Sequence, residues 1–577
     1  SSDLDLYAEV MGPDNLDVPC RVYAPVGSHE DLLPYLVRRL LENGANTSFV
    51  NRIVDESLPI SELVADPVDV VRAYPSKAHP RIPQPIDLYE TADSSQRRKN
   101  SMGVNFGNDN ELRALADQVA QVSMKDWAAT PLVPGAKSGE APQDVTNPAD
   151  RREKIGTKQQ ADQATIERAL ANAAAAQPDW DALPAASRAS ILENAADLLE
   201  QRRAQFVALC VREAGKTLAA AISEVREAAD MCRYYAAMAR KLMGKPDALT
   251  GPTGESNQLS LHGRGVFVCI SPWNFPLAIF TGQVAAGLAA GNSVIAKPAD
   301  QTTLVGYAMV KLLHEAGVPE RVLQFVPCKG SVLGNTLLTR PEVAGVCFTG
   351  STETAWTINR TLAARNAPIA ALIAETGGQN ALIADSSALP EQLVKDVMAS
   401  AFDSAGQRCS AARVLFVQED IADKAIAMLS GAMDELTVGD PALLSTDVGP
   451  VIDVPSCNAL EEHAARMGRE ARLINQAKLS PGSEHGTFFV PRAYEIPSIS
   501  LLTHEVFGPA LHVVRWKASE LDQVIDAVNA TGFGLTLGIH SRIDATIEHI
   551  TRRAHVGNTY VNRNQIGAVV GVQPFGG

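Results

Sequence analysis

What this chain lacks narrows its chemistry before any motif is read. Its 577 residues hold eight cysteines, Cys20, Cys210, Cys232, Cys269, Cys328, Cys347, Cys409 and Cys457, with no C-x-x-C pair and no clustering with histidine. That scatter argues against a disulfide frame or a zinc site, favours reduced thiols in a cytoplasm, and leads us to expect no bound metal. No uninterrupted apolar run reaches the ~20 residues that cross a bilayer, and no signal peptide is legible. A membrane span is therefore not expected, while peripheral membrane association of an intact protein stays open. Lys and Arg number 51 against 66 Asp and Glu, a net charge of −15. This speaks against nucleic-acid contacts, because phosphate neutralisation needs a concentrated basic face. The common G-x-G-x-x-G fingerprint after a strand is also missing.

What is present is long enough for about three or four domains, with 46% hydrophobic and 20% charged residues, ordinary for a globular protein. A strand-like run, VPCRVYAPV (Val18 to Val26), precedes a helix from about Glu30 to Leu41, with apolar Leu32, Leu33, Leu36, Val37, Leu40 and Leu41 at helical spacing. One strand and one helix cannot enclose a core, so this segment needs partners. Pro75 to Asp109 is Pro-rich and polar and reads as a linker. Its basic run Gln96, Arg97, Arg98, Lys99 is expected to be a solvated loop. From about Val145, alanine-rich helices alternate with short apolar strands such as GRGVFVCI (Gly263 to Ile270), which predicts an α/β fold with mainly parallel sheets.

The most reactive-looking stretch is SAGQRCSAAR, Ser404 to Arg413. Cys409, set behind Gly406 in a turn and beside Arg408, is placed to meet a reactive carbon rather than to be packed away. A free thiol ionises near pH ~8.5, so a nearby positive charge or base must raise its thiolate fraction. The alternative for a lone cysteine is a small buried hydrophobe.

Other motifs weigh on that choice. SPWNFP (Ser271 to Pro276), IAKPADQT (Ile295 to Thr302), FTGST (Phe348 to Thr352), ETGGQN (Glu375 to Asn380), the cysteine motif, EVFGP (Glu505 to Pro509) and GVQPFGG (Gly571 to Gly577) follow one another in the order of the aldehyde dehydrogenase superfamily, which the chain resembles from about Val145 onward. The resemblance implies Cys409 as nucleophile, Asn274 with the Cys409 N–H as oxyanion donors, and Glu375 as the base for deacylation. It implies NAD as cofactor, bound by Ser271, Pro272, Trp273, Lys297, Thr349, Gly350, Ser351, Glu505 and Phe507, with Asp300 favouring NAD over NADP. Backbone N–H groups at the helix start after Thr349 would meet a phosphate.

The surroundings of Ser410 and the GAVVGVQPFGG stretch resemble the glutamate-γ-semialdehyde dehydrogenase branch. There the substrate carboxylate is held by Ser410 and the backbone of Gly567 and Ala568, with Phe275 and Phe575 as aromatic walls. Tyr23 to Ile53 resembles the last strand and helix of the FAD-holding proline dehydrogenase barrel of the bifunctional proline-utilization family, where Arg38 and Arg39 would grip the carboxylate of proline beside Tyr23.

The expected architecture is an α/β aldehyde dehydrogenase fold, a Rossmann-like NAD-binding domain plus an α/β catalytic domain, preceded by the last βα portion of a (β/α)8 barrel. Its boundaries are 1–88 for the barrel end, 89–144 for a linker and helical connection, 145–372 for the NAD-binding domain and 373–577 for the catalytic domain. The expected function is NAD-dependent oxidation of glutamate semialdehyde in a cytoplasmic homo-oligomer, with FAD and proline belonging to the intact barrel and no proline oxidation by this segment alone. A dehydrogenase for another aldehyde, or a non-catalytic scaffold of the same fold, stays open on the residues.

Overall fold

The computed structural model of the protein describes residues 11, 29–44, 52, 57–77, 82–90, 97–123, 126–136 and 140–576. They fall into two compact units, 1–84 and 85–577.

In the first unit the expected helix is present as His29–Gly44. Its Leu33, Leu36, Leu40 and Leu41 are exposed, as is Arg38. Tyr23, the strand-like run around it and the side chain of Arg39 lie outside the described residues. A short helix, Pro67–Ala73, follows, started by Asp66, whose carboxylate accepts from the Val68 N–H at 2.8 Å.

The second unit opens with a correction to the expected linker. Arg97 and Lys99 are exposed, but Arg98 is only 6% exposed and is built into the fold. The helix Asp109–Ser123 comes next. A small sheet then joins β1 (Trp127–Ala129), β2 (Gln143–Thr146) and β3 (Lys154–Lys158), and an antiparallel hairpin, β4 (Asp247–Thr250) with β5 (Ser256–Leu259), stands out exposed.

Between these, the 26-residue helix Leu218–Met243 is capped by Thr217 and buries an alanine-rich face. Alanine suits this place because it has the best helix propensity and lets neighbouring helices approach closely.

Five parallel strands follow: β6 (Val266–Ile270), β7 (Ser293–Lys297), β8 (Leu323–Phe325), β9 (Val343–Thr349) and β10 (Ala371–Glu375). They lie in the order β10-β9-β6-β7-β8. VFVCI and SVIAK are almost wholly buried, as strands of a parallel sheet covered on both faces must be. Because β9 returns beside β6, the order reverses there, and in open parallel sheets such a reversal point is where ligands bind, beyond the carboxyl ends of the two strands.

The second large sheet contains β11 (Ala381–Ala384), β12 (Val414–Gln418), β13 (Arg472–Gln476), β14 (Arg492–Glu495), β15 (Ala510–Trp516), β16 (Thr536–His540) and β17 (Asn558–Val561). Its order is β13-β14-β15-β12-β11-β16-β17, and every pair but β13 with β14 is parallel. The α/β reading with mainly parallel sheets is thus borne out. No described helix is long and apolar enough to cross a membrane.

Candidate active site

Cys409 sits on a loop that the backbone forces into an unusual path. The helix Pro390–Phe402 ends at Asp403, and the next three residues, Ser404, Ala405 and Gly406, all have positive φ, at 54°, 55° and 64°. Left-handed backbone is costly for residues with a Cβ, so the surrounding structure must impose it. At Gly406 a Cβ would meet the Gly508 carbonyl oxygen at 2.3 Å, which admits only glycine. The imposing group is Arg413. Its guanidinium is fully buried and donates to the carbonyls of Gly406 (2.6 Å), Gly508 (3.2 Å) and Arg408 (2.9 Å), and to the Glu505 carboxylate (3.2 Å). Asn380 adds donors to the carbonyls of Cys409 (2.6 Å) and Ala411 (3.0 Å).

The cysteine is therefore held rigidly and is 9% exposed, where the sequence suggested an exposed turn. Its charge setting also differs from expectation. Burial, and then the charges of Glu505 and Glu375, push the thiol up to about 12 against the opposing pull of the Ser410 N–H and Arg408. Arg408 is itself paired with Asp403 at 2.6 Å. At rest the sulfur is a thiol, and a base must take its proton.

Glu375, the last residue of β10, is suited to that task. Burial raises its pKa above the ordinary carboxylate value, making it the stronger base. Its Oε2 is 3.5 Å from where a Cβ on Gly576 would stand, so Gly576 comes up against it. Asn274 comes from the turn after β6, in the same five-stranded sheet as β10, and its buried amide donates to the Gln407 carbonyl at 3.0 Å. The SPWNFP turn is braced from below by Glu224, whose carboxylate accepts from the N–H groups of Leu277 (3.2 Å) and Ala278 (2.8 Å).

The residues assigned to a dinucleotide gather at the β6/β9 reversal point. Ser271 and Thr349 leave adjacent strands and are linked by Gln283, which accepts from the Ser271 hydroxyl at 3.1 Å and donates to the Thr349 hydroxyl at 3.0 Å. Gly350 follows, its N–H bonded to the Glu375 carbonyl at 3.1 Å, and Ser351 caps the helix Thr352–Ala363. Lys297, at the end of β7, is buried with its amine donating to the Pro298 carbonyl at 2.8 Å. Burial lowers its pKa.

Glu505 is half-buried, and desolvation raises its pKa. Gly377 passes so close to it that a Cβ would lie 1.8 Å from Oε2. Trp273, just after half-buried Pro272, meets Phe507 edge to face at 5.5 Å between ring centroids. Asp300 is paired with Lys158 at 2.8 Å, so its charge is partly neutralised, which weakens the argument from repulsion of a 2′-phosphate.

On the substrate side, Phe275 lies between two cations, with the Lys216 amine 4.4 Å and the Arg408 guanidinium 5.1 Å from its ring centroid. Glu227 is close enough to feel both, and burial with the neighbouring Glu224 raises it to about 7. Ser410 is buried, Gly567 is exposed with φ 76°, Ala568 is half-buried and Phe575 is 43% exposed. Sequence reasoning missed Gln283, Lys216, Glu224 and Glu227, none of which stands in a recognised motif, and gave Arg413 no role although it closes the cysteine motif. Arg38 lies in the first unit and is not described as part of this site. Among the described residues no cluster of His, Cys, Asp or Glu has the make-up of a metal site.

Comparison with known proteins follows from this geometry. The aldehyde dehydrogenase family model matches residues 135–577, and the proline dehydrogenase model matches residues 4–52. The bifunctional protein PutA of Klebsiella aerogenes is 49% identical over 589 residues, covering 99% of this chain and 44% of that protein. The 1-pyrroline-5-carboxylate dehydrogenase of Geobacillus sp. (strain WCH70) is 35% identical over 474 residues, 81% of this chain and 91% of the relative.

Among solved structures, a mutant of Bradyrhizobium japonicum proline utilization A is 51% identical with a TM-score of 0.84, covering 99% of this chain and 54% of that one. A mutant of Thermus thermophilus 1-pyrroline-5-carboxylate dehydrogenase is 33% identical with a TM-score of 0.79, covering 83% of this chain and 93% of that one. The chain spans about half the length of the PutA relatives it matches.

Proposed function

The chain belongs to the aldehyde dehydrogenase family, and from that premise we propose that it performs the NAD-dependent oxidation of L-glutamate γ-semialdehyde, the open form of 1-pyrroline-5-carboxylate, to L-glutamate. The observation that carries this reading is the meeting of Cys409, Asn274 and Glu375 beside a glycine-bearing loop, 566–576, that can offer backbone donors to a carboxylate. The likeness to named 1-pyrroline-5-carboxylate dehydrogenases supports the choice of aldehyde.

Glu375, directly or through water, takes the proton of Cys409. The thiolate sulfur bonds to the aldehyde carbon, and the carbonyl oxygen becomes an oxyanion held by the Asn274 amide and the Cys409 N–H. The residues at the β6/β9 reversal point fit a dinucleotide: the Ser351-capped helix start suits a phosphate, while the buried Lys297 amine and the Glu505 carboxylate suit ribose hydroxyls. NAD, when bound there, accepts the hydride that leaves the substrate carbon. Having passed the cysteine proton to solvent, Glu375 draws a proton from water, whose oxygen attacks the thioester; the carbon–sulfur bond breaks, Glu375 returns that proton to the leaving sulfur, and the acid product ionises to the carboxylate. Ser410, Gly567 and Ala568 would hold the α-carboxylate against the Phe275 wall, and Glu227 is a partner for the substrate's ammonium.

In the longer protein, the residues matched to proline dehydrogenase would belong to an FAD-holding barrel that forms the pyrroline from proline. A homo-oligomer fits the exposed β4–β5 hairpin, and a cytoplasmic setting fits the free thiols. The test is NADH production from 1-pyrroline-5-carboxylate by the chain and by Cys409→Ala, with succinic semialdehyde as competitor. Equal or better kcat/KM for succinic semialdehyde would defeat the assignment.

A further inference from the structure

Arg98 does something that neither its sequence context nor the catalytic scheme accounts for. It lies in a polar run ahead of the dehydrogenase fold, yet its guanidinium is buried on the face of Tyr89, 4.0 Å from the ring centroid. Its Nη1 is 3.7 Å from the buried carboxylate of Asp230, an ion-pair distance, and neither Nε nor Nη1 has a hydrogen-bond partner. A buried guanidinium with unfilled donors is unfavourable unless a particular bond requires it. That bond is made by Nη2, which donates to the Val570 carbonyl at 2.7 Å.

Val570 belongs to the glycine-bearing loop, two residues after Ala568 and three after Gly567. Within that loop the N–H groups of Val572 and Gln573 both donate to the Val569 carbonyl at 3.0 Å, and the Gln573 side chain accepts from the Val569 N–H at 2.8 Å. The loop thus closes on itself. Among the described residues, Arg98 makes the one hydrogen bond that ties 567–576 to anything outside it.

The far end of the tie is equally fixed. Asp230 accepts from the Ser101 N–H at 2.9 Å and the Ser101 hydroxyl at 2.8 Å, which holds the chain three residues beyond Arg98. Asp230 shares the helix Leu218–Met243 with Glu224, six residues earlier, which braces the turn carrying Asn274. At 3.6 residues per turn the two carboxylates point about 120° apart, so two different faces of this one helix support the turn that carries Asn274 and the strap that carries Arg98.

We infer that Arg98 is a positioning residue for substrate specificity: it fixes the loop whose Gly567 and Ala568 N–H groups receive the carboxylate end of the aldehyde. This rests on the reading of that loop given under the proposed function. Backbone donors select an anion only when they are held in place before it arrives, so loosening the loop weakens binding of the charged end and leaves the chemistry at Cys409 alone.

The test uses the full chain, with kcat and KM measured for 1-pyrroline-5-carboxylate and for butanal, which has no carboxylate, in wild type, Arg98→Met and Arg98→Lys. Arg98→Met is expected to raise KM for the pyrroline by roughly tenfold or more, with kcat and the butanal constants little changed, and Arg98→Lys to show a smaller rise of the same kind. Should Arg98→Met fail to accumulate, Arg98→Lys carries the test by itself. An equal rise in KM for both aldehydes would mean general damage and overturn the inference. So would an unchanged KM for the pyrroline in variants of an enzyme whose wild type prefers it over butanal. A wild type without that preference would overturn the proposed function, and this inference with it.

Discussion

The Asn274 side-chain amide donates to the carbonyl of Gln407, two residues ahead of the nucleophile, at 3.0 Å. One of its two N–H groups is thereby spent on aligning the SPWNFP turn with the cysteine loop, and the other is left for an oxygen on the substrate. Asn274→Ala removes an oxyanion donor, so kcat should fall by about 10²–10³ while the dissociation constant for NAD stays within a fewfold. Steady-state NADH formation with equilibrium NAD titration checks both halves.

Glu375 is expected to act in hydrolysis of the acyl-enzyme as well as in activating the thiol. Glu375→Gln should give a slow burst of at most one NADH per site and then stall, with an acyl adduct on Cys409 visible by intact-protein mass spectrometry. Continued turnover at the wild-type rate, with no adduct, would remove Glu375 from the mechanism.

The pH dependence follows from two upward shifts. Cys409 is pushed up to about 12 and Glu375 is raised by burial, and each acts in its deprotonated form. Raising both pKa values moves the ascending limb to higher pH, so pre-steady-state NADH formation should keep rising between about pH 6 and 9. A rate already level at pH 6 would contradict this.

Gly377 lies against the cofactor-side carboxylate, where a Cβ would stand 1.8 Å from Glu505 Oε2. Gly377→Ala must displace that carboxylate and with it the Arg413 pair. KM for NAD should increase by about tenfold or more with the protein still folded, as read from initial rates and the thermal transition.

Acid should unfold the catalytic domain through a buried histidine pair. His512 Nδ1 faces the Arg413 carbonyl at 2.9 Å, so it carries the proton there, and its Nε2 then accepts from His463 Nε2 at 2.9 Å. Burial is the main cause that lowers His512 to about 3 and His463 to about 4 from an ordinary 6.5. Because the folded values lie below the unfolded one, the pair's stabilisation is full above about pH 6.5 and is lost as pH falls toward 4. His463→Gln keeps a donor without titrating, and its Tm should depend less on pH over that window.

The residues proposed for the chemistry, a sulfur, an amide and a carboxyl, stood out in the sequence because the reaction demands those types in ordered motifs. The apolar strand VFVCI was legible too, since it leaves no exposed face to hide. What escaped is the set of polar residues buried by contacts remote in sequence. Arg98 looked like one more charge in a solvated run, because its partner Val570 is 472 positions away. Arg413 was seen as the end of the cysteine motif, yet four acceptors converge on it, two from its own loop and two from the segment 505–508, remote in sequence. The exposure of Cys409 was misjudged for the same reason, since its burial comes from those convergent segments and not from its own neighbours.

Three successive residues wound left-handed before the nucleophile invert the usual ranking of tolerance around an enzyme centre. Cys409 can be exchanged for a serine of similar size and leave a soluble but silent protein. A valine at Ala405, branched at the very carbon that such a winding crowds, would be rejected during folding. Inherited variants here would therefore announce themselves in two different assays: as absent protein when they strike 404 to 406, and as abundant, inert protein when they strike 409.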